Sequence, residues 1–486
     1  MIMNTIKDKP STSSKKLNQH CANYAAFLSV GLVIFFVSVM NAPIAHADSP
    51  IHLNVGDATF KKSLLAIPSF QYLGTPGLNK NYISIGKEIY DTLQFDLSVS
   101  SYFDLLKREA FLEDVSKVGL RPVPDDPSGF SFSSWQQIKA DFLIRAGYKI
   151  LNDELTLEAY LYYVPQQKKV LAKTYKGRIK DARIIAHSFA NDIVKELTGI
   201  KGFFLSKIVT SKSTEPQQRE IFVMDWDGAN MHAVTHHHSI ANSPAWSPDG
   251  KSVGYRNFTF HAAEKIRNAD LFFYNLEKDE RKLISARPGI NSGVSFFPDG
   301  RHIALTMTRG ESPNIYKMTI DGKSFDALTS STKDVLNVEP SVSPDGKKIA
   351  FSSDRNGRPM VYVMNADGSN VARLTIAGEY NSCPKWSPDG KKIVFAGSDK
   401  GHFDLFVMDA DGTNMVRLTS ARKTTNGKMA DNEDPSFSPD GRHVLFTSNR
   451  DGHHQLYIVD VDGENERRIS FDKADYYKPS WSPYLD

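Results

Sequence analysis

Short apolar strings of one design recur through the second half of the chain. Ile221-Phe222-Val223-Met224, Leu271-Phe272-Phe273-Tyr274 and Ile315-Tyr316-Lys317-Met318 are the first three. Val361-Tyr362-Val363-Met364, Leu405-Phe406-Val407-Met408 and Leu456-Tyr457-Ile458-Val459 complete the set. Their β-branched and aromatic content suits a strand packed in a sheet. Five of them run into an Asp-Gly pair, a strong hairpin signal; the second runs into Glu277-Lys278-Asp279 instead. Between the strings, and once after the last, stands a second phrase. It reads Trp246-Ser247-Pro248-Asp249-Gly250, then Phe297-Pro298-Asp299-Gly300, Ser343-Pro344-Asp345-Gly346, Ser387-Pro388-Asp389-Gly390 and Ser438-Pro439-Asp440-Gly441, ending on Trp481-Ser482-Pro483.

The prolines of that phrase recur at intervals of 50, 46, 44, 51 and 44 residues, the period of four-stranded propeller blades. Serine suits the first position of a type I turn, proline sets φ at the second, and glycine accepts the positive φ that closes it. Pro248 with Gly250, Pro298 with Gly300, Pro344 with Gly346, Pro388 with Gly390 and Pro439 with Gly441 are therefore read as structural turns. One repeat, residues 337–375, resolves into strands at 340–343, 348–352, 361–364 and 373–375. No blade buries both faces alone, so six repeats predict a closed six-bladed ring over residues 201–486. The last phrase has no returning strand after it, while residues 207–210 read as a returning strand with nothing before them. Residues 476–483 are expected to complete the sheet that begins near residue 203.

Residues 48–200 carry a different rhythm. A strand is expected at 64–67, a helix at 83–97 from Ile85, Ile89 and Leu93, and a short helix at 135–140 feeding a strand at 142–144. Strands at 155–164 and 170–176 pair across Gln166-Gln167, and a helix at 183–197 stops at Gly199. This is a small α/β domain with its own core, bounded near residues 199–202. The fold class is thus an α/β N-terminal domain plus an all-β C-terminal six-bladed β-propeller.

Residues 1–47 read as an export signal. Lys7, Lys9, Lys15 and Lys16 precede an apolar stretch at 25–40, and Ala45-His46-Ala47 is a small-residue cleavage site. Four lysines and one aspartate fall in that segment, so the net charge of +3 drops to about zero beyond it. That balance argues against nucleic acid and a charged membrane surface as partners. Of the two cysteines, Cys21 lies in the leader, so the mature chain keeps Cys383 alone and forms no disulfide.

Three stretches carry a family resemblance over nearly the whole mature length. Ala186-His187-Ser188-Phe189-Ala190-Asn191-Asp192-Ile193, with Leu197-Thr198-Gly199 and Gly202-Phe203-Phe204, resembles the helix and linker of the TolB family. Trp135 with Ala140-Asp141-Phe142-Leu143, and the terminal Pro479-Ser480-Trp481-Ser482-Pro483-Tyr484-Leu485, are similar to that family as well. Asp96-Leu97-Ser98-Val99-Ser100-Ser101-Tyr102-Phe103 departs from it, where the family usually has Arg-Ser-Gly before Phe. TolB proteins are periplasmic scaffolds of the Tol–Pal envelope system. The resemblance implies a chain that catalyses no reaction and needs no cofactor. It would dock the lipoprotein Pal on its propeller face and pass its mature N-terminus to TolA, with other envelope proteins as further partners. Outer-membrane integrity and envelope constriction at division are the implied roles.

The site expectations follow from the loops. The Pro-Asp-Gly and Asp-Gly turns share one end of the blades, whereas the variable connections share the other, where recognition usually sits. The residues just ahead of each inner strand, Asn242, Asn291, Glu339, Ser382, Glu433 and Tyr477, are expected to ring the central opening and bind the partner. Ser49-Pro50-Ile51-His52-Leu53-Asn54-Val55 alternates apolar and polar, a pattern fit to join a partner's sheet edge. The alternative is a strand of its own domain. His236-His237-His238, His261, His402, His453 and His454 are read as solvated loop residues, with no metal. The Asp-x-Asp-Gly runs at Asp225, Asp409 and Asp460 lack the twelfth-position glutamate of a calcium loop, having His236, Ser420 and Phe471 there. They read as hairpin turns, while calcium within the central channel stays open. A peptidase would need a hydrolase domain bearing a Gly-x-Ser-x-Gly nucleophile elbow; the run of that spacing at Gly250-Lys251-Ser252-Val253-Gly254 belongs to a blade turn, which disfavours a peptidase. A propeller receptor or lyase acting on glycan or peptide is the alternative.

Overall fold

The computed structural model describes residues 62–75, 81–123, 125–331, 334–399, 401–424 and 426–485. The expected leader and the segment 49–55 lie outside the described residues.

The N-terminal part is one mixed sheet covered by helices. Ser63–Ala66 pairs in parallel with Phe103–Leu105 and with Phe142–Leu151. Phe142–Leu151, Glu154–Tyr163 and Lys168–Arg178 then form an antiparallel meander. Helix α1 (Asn81–Val99) and helix α3 (Ala182–Thr198) pack together through Ile89, Leu93, Leu97, Ala186, Phe189, Ala190 and Ile193, all buried. Helix α2 (Phe132–Gln137) begins three residues ahead of expectation and seats Trp135 in a second cluster with Phe130 and Tyr162. Helix α3 ends as expected, with Gly199 at φ 73° donating its N–H to the Lys195 carbonyl at 2.8 Å.

Two features escaped the polarity pattern. The expected strand at 142–144 runs on to Leu151 because both of its faces are covered, so no alternation marks it. Even Arg145 is buried there, its Nη2 donating to the Val118 and Gly119 carbonyls at 2.8 and 3.0 Å. Its hairpin to residue 154 turns through Asn152 and Asp153, both left-handed at φ 51° and 68°, as a two-residue connection requires.

The C-terminal part is a propeller of six four-stranded sheets. Inner strands Ala241–Trp246, Asn291–Phe296, Asn337–Val342, Tyr380–Trp386 and Asn432–Phe437 open blades two to six. Blade one is composite. Lys207–Glu215, Gln218–Asp225 and His232–Ala233 receive their inner strand from Tyr476–Trp481, with Trp481 opposite Ile208 and Tyr476 opposite Lys212. The Ser-Pro-Asp-Gly turns form as read: the glycine N–H of Gly250, Gly346, Gly390 and Gly441 reaches the serine carbonyl at 2.8–3.0 Å. Adjacent blades are tied at their inner strands. Trp246 Nε1 donates to the Ser480 carbonyl and Trp386 Nε1 to the Ser341 carbonyl, both at 3.1 Å. The Val342 and Trp481 amides donate to Ser295 and Ser436 hydroxyls at 3.0 Å.

The two parts share a core. Phe203, Phe204, Trp226 and Trp481 belong to the same apolar cluster as Leu97, Ile193 and Leu197, and Phe95 stacks on Trp226 with centroids 5.4 Å apart. The N-terminal domain therefore has one core of its own, around Trp135, and another completed by blades one and six. Polar contacts cross the same junction. His443 of blade six is fully buried and donates Nε2–H to the Val99 carbonyl at 2.8 Å; Ser101 Oγ donates to Asp460 at 2.5 Å. His187 of α3 lies 2.7 Å from Asp96 of α1 through Nδ1, while Asp227 of blade one approaches its Nε2 at 3.9 Å. Arg183 pairs with Asp227. Asp96, His187 and Asp227 resemble a metal-ligand set. Their carboxylates address opposite nitrogens of one ring, and one already carries a guanidinium, which suits a bound proton better than a cation.

Two predictions follow from this architecture. Deleting residues 477–486 removes the inner strand of blade one and opens the ring, so calorimetry should show the whole propeller losing its transition rather than one frayed edge. The second concerns pH. Both buried histidines are held above their ordinary values: burial opposes the charge, but Asp96 and Asp227 outweigh it at His187, and Asp440 and Asp460 do so at His443. Burial likewise pushes Asp96 up to about 6. The two histidines therefore stabilise fully below the unfolded histidine value of about 6.5, and that stability is lost as pH rises through their raised values. The Asp96 contribution is lost earlier, between the unfolded carboxylate value of about 3.9 and about 6. The melting temperature should fall as pH rises above the histidine value, and His443→Gln, whose amide still reaches Val99, should flatten the fall.

Candidate functional site

Every inner strand carries one extra residue near its start. Pairing jumps between Asn242 and Ala245, Ser292 and Ser295, Val338 and Ser341, Ser382 and Lys385, Glu433 and Ser436, and Tyr477 and Ser480, three residues against two each time. These are β-bulges. The bulged residues Ser243, Gly293, Glu339, Cys383, Asp434 and Lys478 are all left-handed, at φ 54, 64, 57, 54, 57 and 47°. Five precede a proline, which has no N–H to leave unpaired at a bulge; Val294 follows the glycine. The six bulges converge on the axis and line one cavity of about 60 Å³.

The expected ring is therefore shifted. Glu339 alone of the six candidates lines the opening. Asn242, Ser382, Glu433 and Tyr477 fall one residue short of the bulge and join the ladder beside it, because the left-handed residue turns its own side chain to the axis. Asn291 falls two short and is buried. Its amide donates to the Ala269 and Arg287 carbonyls at 2.9 and 2.7 Å. It matches Asn337, Asn381 and Asn432, buried asparagines that brace one blade on the previous one. The signal that finds the ring is the first proline of each Pro-x-x-Ser-Pro phrase: the bulged residue stands immediately before it.

The opening is charged and largely self-satisfied. Lys478 Nζ lies 2.6 Å from Asp434 and 3.3 Å from Glu339, and donates to Cys383 Sγ at 3.1 Å. Glu339 accepts the Cys383 amide at 2.9 Å and its thiol at 3.0 Å, and Ser352 Oγ at 3.2 Å. Burial alone would raise Glu339, but Lys478 and the Cys383 hydrogen bonds hold its carboxyl at about 2. Burial and the Glu339 charge push the Cys383 thiol far above its usual range, so it is no thiolate nucleophile at neutral pH. Burial opposes the charge on Lys478, but Asp434 and Glu339 outweigh it and raise the group well above its usual value. Beside the ring, burial and Asp434 lift Glu433 to about 7. Tyr477 packs against His454 with tilted rings 4.8 Å apart and lies under Arg219 at 3.6 Å.

The other candidate residues disperse. His261, His402 and the pair His453 and His454 each face a different aspartate, Asp270, Asp404 and Asp475. His237 lies 2.9 Å from Tyr255 Oη, with burial and then Arg281 pulling it down to about 4, while His236 and His238 are exposed. In the Asp-x-Asp-Gly runs, Asp225, Asp409 and Asp460 each accept the amide of the asparagine five residues on, at 2.6–2.7 Å, which is how a turn uses them.

Residues 194–485 match the sequence model of the TolB beta propeller domain, and residues 51–170 that of the TolB amino-terminal domain. The chain belongs to the TolB family. The Tol-Pal system protein TolB of Desulfosudis oleivorans is 32% identical over 281 residues, 58% of this chain and 60% of the relative. That of Geobacter metallireducens is 38% identical over 169 residues, 35% of this chain and 37% of its own length. Each alignment thus spans less than two thirds of the relative. The crystal structure of TolB from Acinetobacter baumannii shares the fold, with a TM-score of 0.72 at 24% identity over 89% of this chain and 100% of that one. Within the TolB fold of this chain, the variable end of the propeller is where the six bulges open.

Replacing Lys478 by Met leaves two carboxylates facing each other at that opening. Breaking a fully buried pair costs about 3–5 kcal/mol. With side chains 34% exposed at Lys478 and 33% at Glu339, solvent should reduce that to about 1–2 kcal/mol. Denaturant unfolding should show this loss, and adding Asp434→Asn should recover part of it.

Proposed function

We propose that the chain is a periplasmic, non-enzymatic scaffold of the Tol–Pal envelope system, docking Pal on the bulge-lined end of its propeller and TolA through its mature N-terminus. The observation that carries this reading is the contrast between the two ends of the blades. One end repeats Ser-Pro-Asp-Gly, which specifies turns and little else. The other brings six different residues, Ser243, Gly293, Glu339, Cys383, Asp434 and Lys478, to one opening, as a surface built to distinguish a partner does. Family membership names the system, and export fits the residues 1–47 read as a signal cleaved after Ala47.

The chemistry of the opening favours binding over catalysis. Glu339 and Asp434 are already engaged by Lys478 and the Cys383 thiol is held protonated, so none of these three groups is free as base or nucleophile. A lyase acting on glycan or peptide would need such a group free. In the envelope, a scaffold of this kind serves outer-membrane integrity and constriction at division, with Ser49, Pro50, Ile51, His52, Leu53, Asn54 and Val55 as the segment offered to TolA.

Calorimetric titration of the chain from residue 48 with the soluble domain of Pal from the same cell tests this. Saturable binding is expected, weakened about tenfold or more by Tyr477→Ala, as for an aromatic anchor. In the same series, removing residues 48–56 should abolish TolA binding with the melting temperature unchanged. Absence of Pal binding by correctly folded protein would turn the reading towards a glycan or peptide receptor.

A further inference from the structure

Most half-buried arginines on this propeller have acceptors, Arg442 lying against the Tyr102 ring instead. Arg417 pairs with Asp404 at 2.7 Å, Arg450 with Glu466 and Asn432, and Arg355 donates to Asn337 at 2.6 Å. Arg256 breaks the pattern. It stands on Ser252–His261, directly opposite Asn242 and one residue from the bulge at Ser243. Its guanidinium lies 5.0 Å from the Phe258 ring, and its Nε is buried with no hydrogen-bond partner. Arg219, at the start of Gln218–Asp225, is bridged to Ile240 just ahead of the inner strand of blade two, so it stands beside Asn242 on the same end of the ring. Its own side chain contact is the face of Tyr477.

The acidic groups around them are spent. Glu220 accepts Thr235 Oγ1 at 2.5 Å and the His238 amide at 2.7 Å. Asp475 accepts the His454 amide at 2.7 Å, and Glu339 and Asp434 hold Lys478. Burial, with the Arg219 charge adding to it, pulls Arg256 below its usual value. Two like charges, partly desolvated and without a counter-ion among the described residues, cost stability that only an incoming anion recovers. A guanidinium offers five donors in a fixed fork, and a carboxylate is the group that fits it in two bonds.

We infer that Arg219 and Arg256 form a receiving site for an aspartate or glutamate side chain of the protein that docks on this end of the propeller, with Tyr477 packing beside the acidic residue. This rests on the docking proposed above and adds the chemistry of one contact to it. Such a carboxylate would enter at the seam of blades one and two, off the axis, where Asn242 and Tyr477 flank it. It would leave the Lys478 cluster undisturbed.

The test is titration with the same Pal domain, at low and high salt, of the wild type, Arg256→Met and Arg219→Gln. Methionine keeps the packing against Phe258 and removes the donors. Either variant should bind about 10- to 100-fold more weakly, the range for a charge-assisted contact, with a shallower dependence on salt. Melting temperatures should stay level or rise, since an unpaired charge has been removed. Lys251→Met, at the opposite end of the blades, should bind as the wild type does. If both arginine variants keep wild-type affinity and salt dependence while Tyr477→Ala weakens binding, the carboxylate site is overturned and the docking face stands. If the wild type fails to bind, both fall together. Should Arg256→Met unfold, Arg219→Gln alone decides between these outcomes.

Discussion

The pairing of Tyr476–Trp481 with Lys207–Glu215 is the constraint on which the rest of the molecule depends. A propeller blade has two apolar faces and two edges, and it is stable only where neighbours cover the faces and the ring leaves no long free edge. Closing a loop of this length is entropically cheap per residue, because the cost grows only with the logarithm of length. What the join requires is a sequence that cannot pair elsewhere. The last inner strand lacks a returning strand of its own, and the first returning strand lacks an inner one. Trp481 then fixes the register, since its indole reaches Ser206 at 2.8 Å and its ring meets Phe203 at 5.5 Å.

The bulges are the second constraint, and they oppose stability. A non-glycine residue in the left-handed region costs about 1–3 kcal/mol, and five of the six bulged residues are not glycine. Such a cost persists only where the surroundings fix the conformation. Here the surroundings are the ladder on both sides and, in five blades, the following proline. Strain repeated in five of the six blades is a property of the fold rather than of one loop. Its consequence is that five blades each turn one side chain into the axis, and that chain is free to vary in chemistry because its backbone is held by its neighbours.

The fold was legible because it is repetitive. Turn chemistry, apolar strings and a fixed period all state the same unit six times, so an error in one blade is corrected by the others. Blade two lacks the Asp-Gly pair yet closes its hairpin through Asp279 at φ 54°. The site was less legible because its position depends on one residue of register. Glu339 was found and Ser243, Cys383, Asp434 and Lys478 were missed by a single place, since a period of two gives no sign of an inserted residue. The prolines at 244, 340, 384, 435 and 479 carried that information. In the N-terminal part, Phe142–Leu151 was truncated for a different reason: a strand covered on both faces has no polar side for a pattern to show. The shared core was hidden for a third. Nothing local in Phe203 or Trp226 says that their partners come from α1, and the stretch from Asp96 to Phe103, where the family resemblance lapses, is the one that meets blade six.

One short strand serves all three parts of the structure. Tyr477 stands on the rim with Arg219, Lys478 closes the mouth of the channel against Glu339 and Asp434, and Ser480 accepts the indole of blade two. Trp481, at its far end, enters the core shared with the helices. Six residues therefore connect the candidate docking face to the domain junction through backbone that is paired on both sides of the bulge. A change at Lys478 is felt first by carboxylates of blades four and six, since its amide and its ammonium both bind Asp434. Substituting the same cation at a blade with its own returning strand would leave ring closure untouched. That distinction follows from the chain beginning and ending its propeller in the same sheet, and it makes the closing blade the one in which recognition and stability are hardest to vary separately.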